Sequence, residues 1–302
     1  MSSSDRIRLS AVKEVTLGVT PASPALQILR PVSESLNYNI SNVSSAQLIE
    51  DRSQADLIQV GADASGDVNG ELSFNSWKTM IESSLANPFV LGVATNGITM
   101  ISMTVVKQYL DLSGVQHIFK GMTVESFTLN ISKQSLIKVD FKLMGTVFTD
   151  VMPATPTFVP AATTESMNSS SNVTSIMFDG VPMTSCVDSL TMTIKNNLRP
   201  RDCVGSMTHT DFTFGRCEIT GDIDVYFQDT ILYNKYKNGQ AFSLDFTITD
   251  AANNSYAINM PRVKFDKLST VAGGTNQDIM AKGSYRALKD ASHMVRITAS
   301  PA

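Results

Sequence analysis

Residues 219–265, ITGDIDVYFQDTILYNKYKNGQAFSLDFTITDAANNSYAINMPRVKF, decide how this chain is read. Ile223, Val225 and Phe227 alternate with Asp222, Asp224 and Tyr226, and Leu244, Phe246 and Ile248 alternate with Asp245 and Thr247. A period of two puts successive side chains on opposite faces of a strand, so both segments read as half-buried antiparallel strands. Between them, residues from Ile231 to about Lys237 read as a short helix capped by Asp229 and stopped by Asn238-Gly239. Ala251-Ala252-Asn253-Asn254 then turns the chain into a strand carrying Tyr256 and Ile258.

The same pattern stands earlier in the chain. Gly66-Asp67-Val68, with a helix opening near Trp77, returns as Gly221-Asp222-Ile223, with a helix opening near Ile231, an offset of 155. SLNYNI (35–40) and Asn42 return as SLTMTI (189–194) and Asn196 at 154, and Asp56-Leu57 returns as Asp211-Phe212 at 155. In the first copy Trp77, Met80, Ile81 and Leu85 make one helical stripe, with Asn75 or Ser76 as N-cap. Phe127, Leu129 and Ile131 mark another strand, Lys133-Gln134-Ser135 a turn, and Ile137, Val139, Phe141 and Leu143 the strand after it, opposite Lys138, Asp140 and Lys142. These matches argue for an internal duplication, and long repeats build arrays and rings more often than active sites.

The expected fold class is therefore mainly β: two tandem β-sandwich or barrel domains, each with one short flanking α-helix. Residues 1–30, with Pro21 and Pro24, read as an N-terminal arm; 31–150 as the first domain; 151–180, with Pro153, Pro156, Pro160 and a Ser/Thr/Asn run, as a linker; and 181–302 as the second domain. Residues 271–283, with Gly273-Gly274, read as a long loop. The length of 302 residues suffices for two cores of roughly 100–150 residues each.

Composition narrows function. Charged residues are 17% of the chain, below the ~25% of an ordinary soluble domain, so much of the surface is expected to face other protein. A net charge of −4 offers no basic field for nucleic acid. MSSSDRIRLS lacks the apolar core of a secretory signal, and no stretch approaches a membrane helix, so no membrane partner is expected. Cys186, Cys203 and Cys217 fit no metal or redox spacing and read as reduced thiols; His117, His209 and His293 are isolated. No nucleophile elbow, phosphate loop or paired acid–base motif is present, so the expectation is no enzyme, no catalytic or metal residues and no cofactor. Trp77 reads as core, and the fifteen methionines are scattered, as in adaptable packing. Arg199-Pro200-Arg201 reads as a rigid basic turn available for inter-subunit contact.

Beyond these patterns, residues 219–265 resemble the tail tube protein (major tail protein) of long-tailed, non-contractile bacteriophages. The Thr-Gly-Asp strand, the Leu-Tyr-x-Lys-Tyr helix and the Asn-x-x-Tyr-x-Ile-x-x-Pro-Arg-Val arm (253–263) carry the resemblance. SMTVVKQYLD, Lys120-Gly121, VESFTLNI and FKLMGT (141–146) extend it into the first half, so that it covers roughly 31–300. The resemblance implies tail-tube-type domains whose subunits form stacked rings through which DNA leaves the capsid. It also implies a place in the virion tail after synthesis in the host bacterial cytoplasm. The partners it implies are further copies of the chain, the tape measure, tail terminator and distal tail proteins, and genomic DNA passing without specific binding. Two tube domains per chain fill a six-position ring with three copies, so a trimer with pseudo-sixfold symmetry is expected, a hexameric ring being the alternative. A β-sandwich receptor-binding or adhesion module, and the tube protein of a contractile tail or secretion system, are the competing functions.

A lumen for sliding DNA is expected to be acidic or polar, because lysine and arginine retain phosphates. Asp67, Asn69 and Glu71 in the first copy, and Asp222 and Asp224 in the second, alternate with Val68, Leu72, Ile223 and Val225 and are the candidate lining residues.

Overall fold

The computed structural model describes residues 3–152, 155–272 and 274–302. Pro153 of the expected linker, Gly273 of the expected loop and the first two residues of the expected arm lie outside them. The alternating segments fold as strands. The first half supplies β1 Ile7–Lys13, β2 Ala25–Ile28, β3 Pro31–Glu34, β4 Asn37–Ser44, β5 Leu57–Glu71, β6 Val93–Thr95, β7 Met103–Tyr109, β8 Gln116–Ser132, β9 Lys138–Gly145 and β10 Val147–Thr149, with helix α1 Lys78–Leu85 after β5. After β11 Thr157–Val159 come β12 Val173–Phe178, β13 Val181–Pro182, β14 Val187–Lys195, β15 Arg199–Arg201, β16 Asp211–Thr213 and β17 Glu218–Tyr226. Helix α2 Ile231–Lys237, β18 Phe242–Thr249, β19 Ser255–Val271, β20 Met280–Ala287 and β21 Arg296–Ser300 complete the chain. The protein is mainly β with two short α-helices, the fold class expected from the alternation.

Eight strands make one antiparallel ribbon in the order β4–β5–β9–β8–β14–β17–β20–β19. A second layer, β2–β1–β7–β8–β10, continues from the first half of the ribbon, and β13–β12–β18–β19–β21 continues from the second. The long strands β8 and β19 serve both layers, changing partners at bulges beside Ser126 and Lys267 that bend them out of plane.

The pairings recur residue for residue. Met103↔Met122 and Val105↔Phe119, across a bulge, return as Phe242↔Val263 and Leu244↔Met260. Val124↔Leu143 and Ser126↔Lys142 return as Phe265↔Tyr285 and Lys267↔Ser284. Pro31↔Gly70 and Ser33↔Asn69 return as Val187↔Val225 and Ser189↔Asp224. The last pair corrects the upstream echo: Ser189 answers to Ser33, and Ser35 answers to Thr191. The sequence match slipped by two residues, a slip that leaves every side chain on its own face and so preserves the hydrophobic pattern.

The main core is one cluster running from Leu9 to Ile297 through both halves, because the β8–β14 seam joins their layers, and a small second cluster of Leu26, Val106 and Ile118 lies on the other side of the β2–β1–β7–β8 layer. The α1 stripe of Trp77, Met80, Ile81 and Leu85 is fully buried in the main cluster. Neither Asn75 nor Ser76 caps that helix: Trp77 takes the N-cap position, and its indole Nε1 donates to the Glu71 carbonyl at 2.8 Å. In α2 Thr230, not Asp229, takes the N-cap position, while the Asp229 carboxylate one residue outside accepts from the Ile231 amide at 2.9 Å; Asn238 and Gly239, the latter at φ +59, end the helix as expected.

Two segments expected to be peripheral carry structure. Ile7–Lys13 in the expected arm pairs with β7 along its whole length, burying Leu9 and Ala11. In the expected linker, β11 pairs in parallel with β2, and the buried Met167 exchanges backbone hydrogen bonds with Leu72 and Ile137.

Candidate functional site

One face of the ribbon is packed against the second layers and the other is open. Val68, Phe141, Leu129, Met192, Ile223 and Val225 point into the core. Asp67 and Asp222 are exposed, and Asn69, Glu71 and Asp224 are half-buried on the opposite side. The five candidate lining residues therefore share one face, in two separated groups, with the hydroxyl-rich strands β8 and β14 between them. Across that centre, Thr128 and Thr193 stand directly opposite each other with their hydroxyls 3.0 Å apart.

The face also carries cations that sequence reasoning did not join to it. Lys142 lies opposite Asp67, Lys138 opposite Glu71, and Lys282 opposite Asp224. Lys142 binds Glu125 at 2.9 Å, and this hydrogen bond and the Glu125 charge raise its pKa. Lys282 binds Asp224 at 3.2 Å. Between the columns, burial lifts the pKa of Asp140 and the nearby Asp67 charge adds to the rise, against the Asn130 hydrogen bond and the charge of Lys138. The surface is thus charge-balanced rather than acidic. The signal was present in the Lys138-Asp140-Lys142 alternation, but only strand pairing shows that it shares a face with Asp67.

The Gly-Asp motif has a structural cause in both copies. Thr191 Oγ1 accepts from the Asp222 amide at 2.9 Å, and Ser35 Oγ accepts from the Asp67 amide at 2.9 Å. These hydroxyls reach the neighbouring strand only because Gly66 and Gly221 present no side chain beneath them.

Arg199 and Arg201 lie on the exposed hairpin β15–β16, where Arg201 stands 3.6 Å from Asp211. That hairpin leans back onto the first half: the Ala62 amide donates to the Met207 carbonyl at 2.6 Å, over a cleft of about 520 Å³ that includes Asp63, Asp202 and His209. The Asp202 and His209 side chains meet at 2.5 Å; Ser41, Cys203 and Ser206 also line the cleft, the Cys203 thiol standing 3.5 Å from Thr210 Oγ1 and the Ser206 hydroxyl donating to the Thr208 carbonyl at 2.6 Å. His117 packs edge-on against Tyr109 and Phe148, while His293 contacts Ser292. Among the described residues no group of three or more His, Cys, Asp or Glu side chains is placed to hold a metal ion, and no helix is long and apolar enough to cross a membrane. The three cysteines are free, and burial pushes the Cys217 thiol up to about 11.

The comparisons with known proteins agree with a structural reading. Residues 4–287 match the family model described as phage tail tube protein. No curated protein matches the chain.

Proposed function

This chain belongs to the phage tail tube protein family, a structural family of the virion tail, and from that premise we propose that three copies close into a ring with pseudo-sixfold symmetry. Stacked rings then form the tube of a long, non-contractile tail, and the genome leaves through the lumen. Membership implies self-assembly and contact with other tail components; the tape measure, tail terminator and distal tail proteins are the partners proposed. The observation that carries the ring is the recurrence of the strand registers, which supports two tube domains in one chain filling two positions of six. A head-to-tail contact closes when the rotation per unit divides a full turn. Native mass spectrometry of purified rings is expected to give three chains per ring. Six chains per ring would favour the alternative, and a monomer at assembly concentrations would favour an adhesion module.

The open ribbon face is proposed as the lumen lining, with Asp67, Asn69, Glu71, Asp222 and Asp224 keeping the duplex from sticking. Their work includes neutralising the neighbouring lysines. The triple variant Asp67→Lys, Asp222→Lys, Asp224→Lys both adds cations and releases Lys282, so phosphates are retained through counterion release. Genome ejection is expected to slow at least tenfold at about 50 mM salt and to recover above roughly 0.3 M, as screening and counterion competition weaken the contact. Ejection unaffected at every ionic strength removes this face from the lumen. Arg199 and Arg201 are proposed to contact a neighbouring subunit from their exposed hairpin.

A further inference from the structure

A row of aromatic rings and one buried ion pair tie the start of β4 to the second layer of the first half. His117 of β8 stands directly opposite Lys107 of β7. Its ring lies edge-on to Tyr109 of β7 at 5.2 Å and to Phe148 of β10 at 5.3 Å, and its Nδ1 is 3.4 Å from the Tyr109 hydroxyl. Phe148 in turn stacks on Tyr38 of β4 at 4.9 Å, the two ring planes within 19° of parallel. Lys107 binds Glu34 of β3 at 2.6 Å with both side chains largely buried, and the other Glu34 oxygen accepts from the Leu36 amide at 3.0 Å.

The turn from β3 to β4 is thus held from two sides, by the ion pair at Glu34 and by the ring stack at Tyr38. Among the described pairings β4 has only β5 as a partner. A strand paired on one side leans on such side-chain contacts more than a central strand does.

His117 is the member of this cluster whose charge changes between pH 5 and 8. The titratable and charged groups facing it are Lys107 and Tyr109 from β7, Glu34 from β3 and Asp150 just after β10. Burial holds the His117 pKa below the ordinary histidine value and the Lys107 charge lowers it further, outweighing the charges of Asp150 and Glu34. Glu34 is already engaged: against the pull of burial, its hydrogen bond and charge keep Lys107 protonated.

We propose that His117 is an acid-sensitive latch. Uncharged, it fills the space between Tyr109 and Phe148 and holds the β3–β4 turn down; protonated, it sets a second cation against Lys107 and releases Phe148, Tyr38 and that turn. Because the unfolded chain takes up the proton first as pH falls, the stabilisation is whole above about pH 6.5 and is lost as pH drops from there through the lower folded value. The latch belongs to the single chain and stands apart from the ring reading.

Hydrogen exchange of the unassembled full chain at about pH 7.5 and about pH 5, corrected for intrinsic rates, brackets the ordinary histidine value. Residues 34–40 and 147–150 are expected to lose protection several-fold at the lower pH. His117→Phe keeps an aromatic ring without the proton and is expected to retain protection in both segments. His293→Phe alters the other histidine whose pKa burial lowers, and is expected to loosen as the natural chain does. The carboxylates are common to all three chains, so the difference between the chains is the readout. Equal loosening in the natural chain and His117→Phe, no loosening in the natural chain, or protection retained by His293→Phe as well overturns the latch. Should His117→Phe fail to fold, proton NMR of the natural chain decides. The His117 ring is expected to titrate with a midpoint below the ordinary 6.5, and the Tyr38 and Phe148 rings to shift with it. A midpoint at or above that value, or titration that leaves those rings unmoved, overturns the latch.

Discussion

Glu14→Ala is expected to remove about 3–5 kcal/mol of folding stability, the scale of stranding several buried donors at once. Glu14 is 6% exposed, and its two carboxylate oxygens accept four hydrogen bonds: from the Gly18 amide at 2.9 Å, Ser102 Oγ at 2.7 Å, Thr104 Oγ1 at 2.7 Å and the Gly121 amide at 2.9 Å. No cation pairs with it among the described residues. The charge is held by donors alone, drawn from the loop after β1, from the start of β7 and from the middle of β8. Removing it leaves those donors facing a cavity, and the knot tying the end of β1 to β7 and β8 opens. Glu14→Gln preserves shape but turns one acceptor into a donor facing existing donors, so it is expected to lose about 2–3 kcal/mol. Urea unfolding of the unassembled chain measures both; a loss under about 1 kcal/mol for the alanine variant would show that the carboxylate is dispensable.

What the sequence made legible was whatever depends on period. Strands β8, β9, β17, β18 and the start of β19 follow directly from alternation, and Lys133-Gln134-Ser135 turns where expected, Gln134 taking φ +52. Glycine followed by aspartate was legible as a repeat because the same close approach of strands demands it twice. Register was not. The hexamer SLNYNI resembles SLTMTI in type and parity, so it aligned two residues away from the backbone pairing that actually recurs. Strand β1 was hidden because it lies between β2 and β7 and buries Leu9, Ser10 and Ala11 in succession, which erases the alternation. Glu14 gave no signal at all, since a buried carboxylate satisfied by backbone amides and hydroxyls has no sequence motif. Alternation alone places the candidate lining residues on one strand face, but their neighbours Lys142 and Lys282 come from strands that are adjacent only through pairing.

Gly221→Ala is the second large effect expected, about 3–4 kcal/mol, the upper range for forcing a methyl into a packed site. A Cβ at that position would overlap the Thr191 carbonyl oxygen and come within 2.5 Å of the Tyr285 ring. Neither neighbour can retreat. The carbonyl accepts the Tyr285 hydroxyl at 2.6 Å, and Tyr285 is buried so fully that desolvation drives its hydroxyl pKa far upward. Shifting the strand apart would also break the Asp222 amide bond to Thr191 Oγ1. Gly66→Ala meets the corresponding obstacle, the Ser35 carbonyl at 2.5 Å with Leu36 Cα at 2.7 Å, and its φ of +153 adds backbone strain where Gly221 has the tyrosine wedge, so a loss of similar size, about 3–4 kcal/mol, is expected. Gly61→Ala is the control: its nearest neighbour would be 3.8 Å away, and the change is expected to lie within about 0.5 kcal/mol of neutral. Adding Tyr285→Leu to Gly221→Ala relieves the ring contact and leaves the carbonyl contact, so partial rescue is the expected outcome. Denaturant midpoints for the four variants decide the matter. If Gly221→Ala proves as harmless as Gly61→Ala, the repeated glycine is not required by strand approach, and the Gly-Asp signature loses the physical cause assigned to it.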